Sequence, residues 1–353
     1  MNPRLKQLLQ FILFASVGAI ILYLLYQSQS TKYVEECLTL GKAQEDCSLL
    51  DKIIEDFQSA NWYWILLILC IYMLSNVFRA WRWQMLLEPL GYKANFWNAL
   101  MAIMIGYFAN LGIPRLGEIM RAGIFAKYEH IGVEKVIGTV VTDRIIDVIS
   151  LAAFLLVTAP FYYGPVSQYL RENLSLGQYL TGDWWLFPLL MIILVGAGIF
   201  MLLRSQSLRQ STIAKKLFSL ISGFKDGALS VFSLASPGKF IVYTIGIWTC
   251  YYLMTYLTFY SFEPTSHLGP QEGLITFIFG TLGILFPSPG GMGTYHLMLM
   301  EALKIYSVSS IEGFSFANIL YFSIQIFCNV LFGIFSLIFI SIYNQGRHAA
   351  ISR

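Results

Sequence analysis

Six charged side chains stand within or beside long apolar stretches of this chain, where charge is costly. They form two groups, and the members are Arg115, Glu118, Arg121, Asp143, Arg144 and Asp147. A charge near a bilayer centre costs roughly 2.5–3.5 kcal/mol on insertion scales. Residues three or four apart share a helix face, so Arg144 can pair with Asp147, and Glu118 with Arg121. We expect both groups to meet in one polar cavity.

Two interpretations of these charges remain open. In the first, the arginines bind an anionic headgroup while the acids orient them and neutralise the empty site. In the second, the charges form a structural ion-pair network near the inner interface. Glu118 also follows Pro114 closely, where an acid complements the dipole of a starting helix. Arg79 and Arg82, at the end of an earlier apolar run, are interpreted as long side chains that reach the membrane surface.

Two apolar runs stop halfway, each at a proline beside glycines. The first break contains Pro114 and Gly117, and the second contains Pro287, Gly290, Gly291 and Gly293. Unpaired backbone N–H and C=O groups cost several kcal/mol each in hydrocarbon, so a break persists only where protein, water or ligand satisfies it. A helix that starts at the second break directs free N–H groups inward, which suits phosphate, and glycine permits close approach.

The composition is that of a polytopic membrane protein, with 57% hydrophobic and only 12% charged residues. Soluble domains contain roughly 25% charged residues. The net charge of +3 is too small to indicate nucleic-acid binding. His296 and Glu301 are too few and too far apart for a metal site, and His296 is interpreted as a packed residue. We expect no cofactor.

The distribution of basic residues decides the topology. Continuous apolar runs cover 8–26, 62–80, 136–160, 184–203, 240–262 and 314–341. If 97–113 crossed fully, the basic loop 204–239 would lie outside, against the positive-inside rule. If 97–135 instead enters from the cytoplasm and returns to it, that loop and the N-terminus are cytoplasmic. The C-terminus is cytoplasmic as well if 272–306 enters and returns on the outer side.

The resulting fold class is an all-α polytopic membrane protein, with six spanning helices and two re-entrant helical hairpins in an inverted repeat. We predict one membrane domain over 1–353. Its parts are an uncleaved signal-anchor helix (8–26), a first repeat (62–160), a linking span (184–203), a cytoplasmic basic amphipathic loop (204–239) and an inverted second repeat (240–341). Two coincidental Pro/Gly breaks are the alternative to a repeat, and a solvated connector is the alternative for 204–239. In the last run, Asn318, Gln325 and Asn329 either line a cavity or bond neighbouring helices.

Cys37 and Cys47 share a segment, 27–61, that we interpret as a polar loop facing outward. It contains seven acidic residues and three lysines. Two cysteines ten residues apart in an outward loop can form a disulfide, and two unpaired thiols are the alternative.

With these residues in view, the chain resembles the membrane domain of the lysylphosphatidylglycerol synthases and the stand-alone flippase-like proteins similar to it. The marks that carry the resemblance are Arg79-Ala80-Trp81-Arg82-Trp83, Asn110 with Pro114-Arg115-Leu116-Gly117-Glu118 and Arg121, Asp143-Arg144 with Asp147, and Pro287-Ser288-Pro289-Gly290-Gly291-Met292-Gly293. It covers roughly residues 60–340. The resemblance implies a prokaryotic inner-membrane protein that moves or handles lipids. Because only 342–353 follow the last run, we expect a member without the aminoacyltransferase domain.

The leading functional hypothesis is a translocator of an anionic phospholipid or lipid-linked sugar, with membrane lipids as partners. One alternative is a non-catalytic subunit that assists a separate cytosolic or membrane synthase or glycosyltransferase. The other is a membrane-embedded lipid-modifying transferase, for which the sequence offers no catalytic set. The oligomeric state, the lipid and the energy coupling do not follow from the sequence.

The topology can be tested by labelling single cysteines from each side of the membrane in a cysteine-less background. Positions 127 and 225 should react only from the cytoplasmic side, because segments with an excess of basic residues are retained inside. Positions 42 and 171 lie in segments without such an excess and should react only from outside. Outward reactivity at position 225 would contradict the re-entrant topology.

Overall fold

The structure, a computed structural model, describes residues 3–39, 43, 47–112, 116–173, 234–285 and 291–351. These residues form eleven α-helices: α1 (Pro3–Thr39), α2 (Leu49–Ser59), α3 (Trp62–Leu87), α4 (Phe96–Gly112), α5 (Leu116–Glu129), α6 (Val133–Asn173), α7 (Pro237–Thr258), α8 (Pro270–Leu285), α9 (Thr294–Lys304), α10 (Ser310–Tyr321) and α11 (Asn329–Ile351). The chain divides into two compact units, one of Met1–Val140 with Ser236–Arg353 and one of Val141–Ala235.

Some sequence predictions concern residues outside this description. They are the linking span 184–203, nearly all of the basic loop 204–239, and the site residues Arg115, Pro287 and Gly290.

Three helical stretches of the described residues have the length and apolar composition to cross a bilayer: Trp62–Leu90, Pro237–Ser261 and Ser310–Gln345. Two shorter apolar helices cover Phe96–Leu111 and Pro270–Leu285. They coincide with the first arms of the two predicted hairpins. α1 and α6 are helical over the predicted spans 8–26 and 136–160. The all-α membrane class is therefore confirmed, while the count of six spans and the re-entrant course stay predictions.

The prediction of a loop over 27–61 is wrong, because this segment is mostly helical. α1 continues to Thr39, and α2 occupies Leu49–Ser59. No glycine or proline lies between residues 27 and 39, so nothing stops the first helix from extending beyond its apolar part. Ser48 caps α2 by accepting a hydrogen bond from the Asp51 N–H. Cys37 and Cys47 form a disulfide that ties the end of α1 to the start of α2.

The first hairpin consists of α4 and α5, which pack closely through two glycines. A Cβ added at Gly106 would lie 2.9 Å from the Gly117 carbonyl oxygen, and one added at Gly117 would overlap the Gly106 carbonyl. The Gly117 N–H donates to Asn110 Oδ1 at 2.8 Å. The Asn110 side chain of α4 thus accepts from a backbone N–H in the first turn of α5. Such an N–H has no hydrogen-bond acceptor within its own helix.

The second hairpin, α8 and α9, uses the same device with different residues. A Cβ at Gly283 would lie 2.8 Å from the Tyr295 Cα, so only glycine allows the two backbones to approach. The Thr294 hydroxyl donates to the Gly283 carbonyl at 2.8 Å and lies 3.1 Å from the Gly291 carbonyl. As in the first hairpin, a single side chain bonds backbone across the hairpin, and here that side chain lies at the start of the second helix.

The two halves of the first unit pack together along long helices. α3 packs against α7, and α4 packs against α11. Gly246 allows the first contact, because a Cβ there would lie 2.9 Å from the Phe78 ring. Buried Phe259, Leu299 and Phe316 belong to a core that joins the end of α7 to α9 and α10.

The close packing of the first hairpin predicts a sharp contrast between two glycines of α5. Gly117→Ala should lower the free energy of unfolding by about 1–3 kcal/mol, the usual cost of overpacking, because its Cβ meets backbone. Gly123→Ala should be neutral or stabilising by up to about 1 kcal/mol, because the space there is open. Unfolding of both variants in the same detergent tests this, and equal stabilities would argue against the close approach.

Candidate functional site

Arg121 of α5 lies in the core of the first unit, stacked on an aromatic ring. Its guanidinium is 3.8 Å from the ring centre of Trp83, and the residue is only 3% exposed. Trp83, on α3, packs 4.5 Å from Phe125 and donates its indole N–H to Thr139 Oγ1 at 3.0 Å. The indole is thereby held in one orientation beneath the cation, an arrangement worth about 2 kcal/mol or more where it is desolvated.

Arg79 and Arg82 are buried, so the interpretation that they reach the membrane surface is wrong. They are 3% and 0% exposed, respectively. Arg79 donates to the Tyr251 hydroxyl at 2.9 Å, and Arg82 lies 5.9 Å from the Phe240 ring centre. Both partners belong to α7, which packs along α3 and covers the arginines. Sequence reasoning missed this because it placed α3 correctly but not the helix beside it.

Three arginines are therefore buried within one unit, on α3 and α5. Buried guanidinium groups are rare unless they are paired or used, and the planar fork of arginine matches phosphate and carboxylate oxygens. Glu118 is half-buried in the first turn of α5, where its charge also complements the helix dipole. Among the predicted residues of this hairpin, the structure thus places Glu118 and Arg121 one helical turn apart.

The charges of α6 belong to the second unit. Arg144 forms an ion pair with Asp147 at 3.7 Å, which confirms the predicted pairing of residues three apart. Asp143 is completely buried. The meeting of these residues with the first hairpin in one cavity stays a prediction.

In the second hairpin, two glycines without side chains, Gly291 and Gly293, directly precede α9. Gly291 and Gly293 have positive φ angles of 77° and 84°, which residues with a side chain rarely adopt. Gly293 is the N-cap residue of α9 and makes no side-chain capping bond. Thr294, which sequence reasoning did not single out, secures this turn through its hydroxyl. The sequence signal for this role is a threonine directly after a glycine-rich break, because its hydroxyl can bond the carbonyls of the turn.

His296 is a packed core residue in α9, as predicted. It is 1% exposed, and its ring centre lies 4.8 Å from that of Tyr321 and 6.1 Å from that of Phe314. The described residues contain no group of three or more His, Cys, Asp or Glu side chains placed to hold a metal.

The last predicted span contains a π-helical segment, Phe322–Cys328, between α10 and α11. Such segments are rare and often occur at functional sites. Next to it, Asn329 Oδ1 accepts a 2.6 Å hydrogen bond from the Tyr72 hydroxyl of α3. Asn329 also donates to the Gln325 carbonyl at 2.9 Å. Asn318 donates to the Phe314 carbonyl of its own helix, and its side chain also makes a hydrogen bond with His296 of α9. Of the two interpretations of these amides, bonding to a neighbouring helix therefore holds for Asn329 and Asn318.

The fold and the buried charges define a class: a multi-pass helical membrane protein with two glycine-packed hairpins and arginines in its interior. A family model described as "Lysylphosphatidylglycerol synthase TM region" matches residues 48–333. The chain therefore belongs to the lysylphosphatidylglycerol synthase transmembrane-region family.

The chain is also similar to the UPF0104 membrane protein MJ1595 of Methanocaldococcus jannaschii, with 31% identity over 149 residues. That match covers 41% of this chain and 42% of the relative's length. No solved structure matches the chain.

The hydrogen bond between Tyr72 and Asn329 predicts a measurable stability effect. Tyr72→Phe should lower the free energy of unfolding by about 1 kcal/mol, because it leaves a buried amide oxygen without its donor. Tyr63→Phe, near the start of the same helix, is the matched control, since Tyr63 is 69% exposed. Denaturation in one detergent compares the two, and equal effects would contradict a structural role for the bond.

Proposed function

We propose that this protein translocates a membrane lipid with an anionic, phosphate-bearing headgroup. The observation that carries the proposal is the burial of Arg121, 3% exposed and stacked on Trp83, at the first hairpin of a helical protein in which 57% of the residues are hydrophobic. Membership of the lysylphosphatidylglycerol synthase transmembrane-region family supports a role in lipid handling. A phosphate group is the ligand that best matches the guanidinium fork.

The proposed geometry has six spanning helices and two hairpins that re-enter the membrane from opposite sides. Helix breaks in corresponding halves are a feature of transporters that alternate access around a central site. The two hairpins support this, because each is closed by glycine contacts and by one side chain that bonds backbone across it. We place the protein in a prokaryotic inner membrane with both termini in the cytoplasm.

In this proposal the two hairpins share the headgroup. Arg115 and Arg121 supply positive charge to the phosphate, while Glu118 orients them. Arg144, which pairs with Asp147 and follows Asp143, is a further candidate ligand for a phosphate group. At the second break, whose sequence also contains Pro287 and Gly290, Gly291 and Gly293 let the headgroup approach backbone N–H groups. Transport is downhill or coupled to an ion or proton.

Two arginine-to-lysine exchanges test the proposal in liposomes. Arg121→Lys and Arg144→Lys keep the charge but lose the planar fork that grips phosphate in two places. Loss of one charged hydrogen bond costs roughly 1.5–3 kcal/mol, so headgroup-dependent flipping should fall about tenfold or more. Lys127→Gln is the control, because Lys127 is exposed on the same helix as Arg121.

The expected result is normal expression of both variants with reduced lipid binding and flipping, while the control flips like the parent. Parental flipping in both variants would assign the charges a structural role and refute this site. Turnover of a labelled lipid without translocation would indicate a transferase. Activity that appears only with an added synthase or glycosyltransferase would indicate an assisting subunit.

Gly291→Val tests the second break less cleanly. A Cβ at Gly291 would lie 3.0 Å from the Ile284 Cα, and the positive φ angle already disfavours a side chain. This variant should therefore lose stability as well as transport, and unfolding must be measured beside flipping. Full transport by a stably folded Gly291→Val protein would exclude close headgroup approach at this residue.

A further inference from the structure

An open cavity of about 530 Å³ lies where α3 ends and α7 begins. The side chains of its wall that bear chemistry are Trp81, Glu88, Tyr92, Lys93, Lys239 and Tyr243. None of them belongs to the site proposed above. The cavity therefore raises a separate question of what it binds.

The charges of the wall favour an anion. Lys93 and Lys239 contribute two positive charges from different segments, and Glu88 contributes one negative charge. Lysine is a compact point charge with three donors, and it binds phosphate without the geometric demands of arginine. Ser236, the N-cap residue of α7, also lines the cavity, so the positive end of that helix dipole adds to the field.

The aromatic part of the wall is held in place by contacts within the wall and by contacts with residues outside it. The ring centres of Trp81 and Tyr243 are 5.5 Å apart, and Trp81 lies 5.8 Å from Phe96 on its other side. Lys135 donates to the Tyr92 hydroxyl at 3.1 Å. The cavity is thus bounded by rings that are held in place and by two exposed lysines.

The loop that carries Lys93 is likewise anchored. It turns at Gly91, whose φ angle is 83°, and its Ala94 carbonyl accepts a 2.6 Å hydrogen bond from Gln84. Lys93 is therefore presented by an ordered turn between α3 and α4.

The composition of the wall matches the headgroup layer of a membrane. Tryptophan and tyrosine concentrate at membrane–water interfaces, and lysines there attract anionic lipids. Trp81 is 38% exposed at the end of an apolar helix, and nearby Trp97 is 53% exposed. In the predicted topology this end of α3 is cytoplasmic.

We propose that the cavity binds a phosphate group at the cytoplasmic surface. Lys93 and Lys239 bind the phosphate, and the aromatic rings of the wall contact the rest of the ligand. The phosphate belongs to a phospholipid headgroup or to a soluble phosphate compound, since both present the same oxygens. This site is distinct from the arginines that would bind the translocated lipid.

The experiment compares two double variants of the full chain that remove equal charge. Lys93→Gln with Lys239→Gln leaves Glu88 as the single charge of the wall, whereas Lys32→Gln with Lys127→Gln removes two exposed lysines that do not line the cavity. Native mass spectrometry measures the affinity of each purified protein for phosphatidylglycerol. Calorimetry measures binding of inorganic phosphate to the same proteins.

The cavity variant should bind phosphatidylglycerol roughly tenfold more weakly than the parent, and the control should bind like the parent. Lysine-dependent binding of inorganic phosphate at comparable affinity would identify a soluble compound as the ligand, and its absence would identify the lipid. Parental binding of both probes by the cavity variant would overturn the proposal. Because Arg121→Lys leaves the cavity intact, adding the two cavity substitutions to it should still weaken phosphatidylglycerol binding by a similar factor, even if Arg121→Lys itself reduces lipid binding and flipping.

Discussion

A polar backbone group or a charge inside a bilayer must find its partner within the protein, and the described architecture depends on this constraint. Continuous helices satisfy it through their own hydrogen bonds, but an interrupted helix leaves N–H and C=O groups open. Both hairpins meet the requirement by bringing a second backbone very close. Asn110 accepts from the Gly117 N–H in the first hairpin, and Thr294 donates to the Gly283 carbonyl in the second. Glycine is needed at these contacts because any side chain would separate the helices.

The same constraint applies to the buried arginines, because a charge removed from water must also be stabilised by groups of the protein. Arg82 and Arg121 lie under the helices and rings that cover them, with 0% and 3% exposure. Their desolvation is costly, and for Arg121 the ring face of Trp83 offsets part of this cost. The low dielectric around these arginines also strengthens their interactions with the groups that they contact.

Long-range polar contacts connect the ends of the chain. Tyr72 on α3 bonds Asn329 directly after the π-helical segment, and Asn98 on α4 exchanges hydrogen bonds with Asn344 on α11 at 3.0 and 2.8 Å. The π-helical segment thus lies directly before a residue of the last predicted span that contacts α3.

The sequence by itself determined the helical membrane class, the two breaks, the pairing of Arg144 with Asp147, and Cys37 and Cys47 as partners. These follow from composition, from proline and glycine, and from spacing, all of which act over a few residues. It did not determine the burial of Arg79 and Arg82, the helical course of most of 27–61, or the role of Thr294. Only the tertiary structure decided these, because exposure depends on which helix packs alongside. That choice is made by close-packed glycines such as Gly246, whose contact with Phe78 joins residues far apart in the chain.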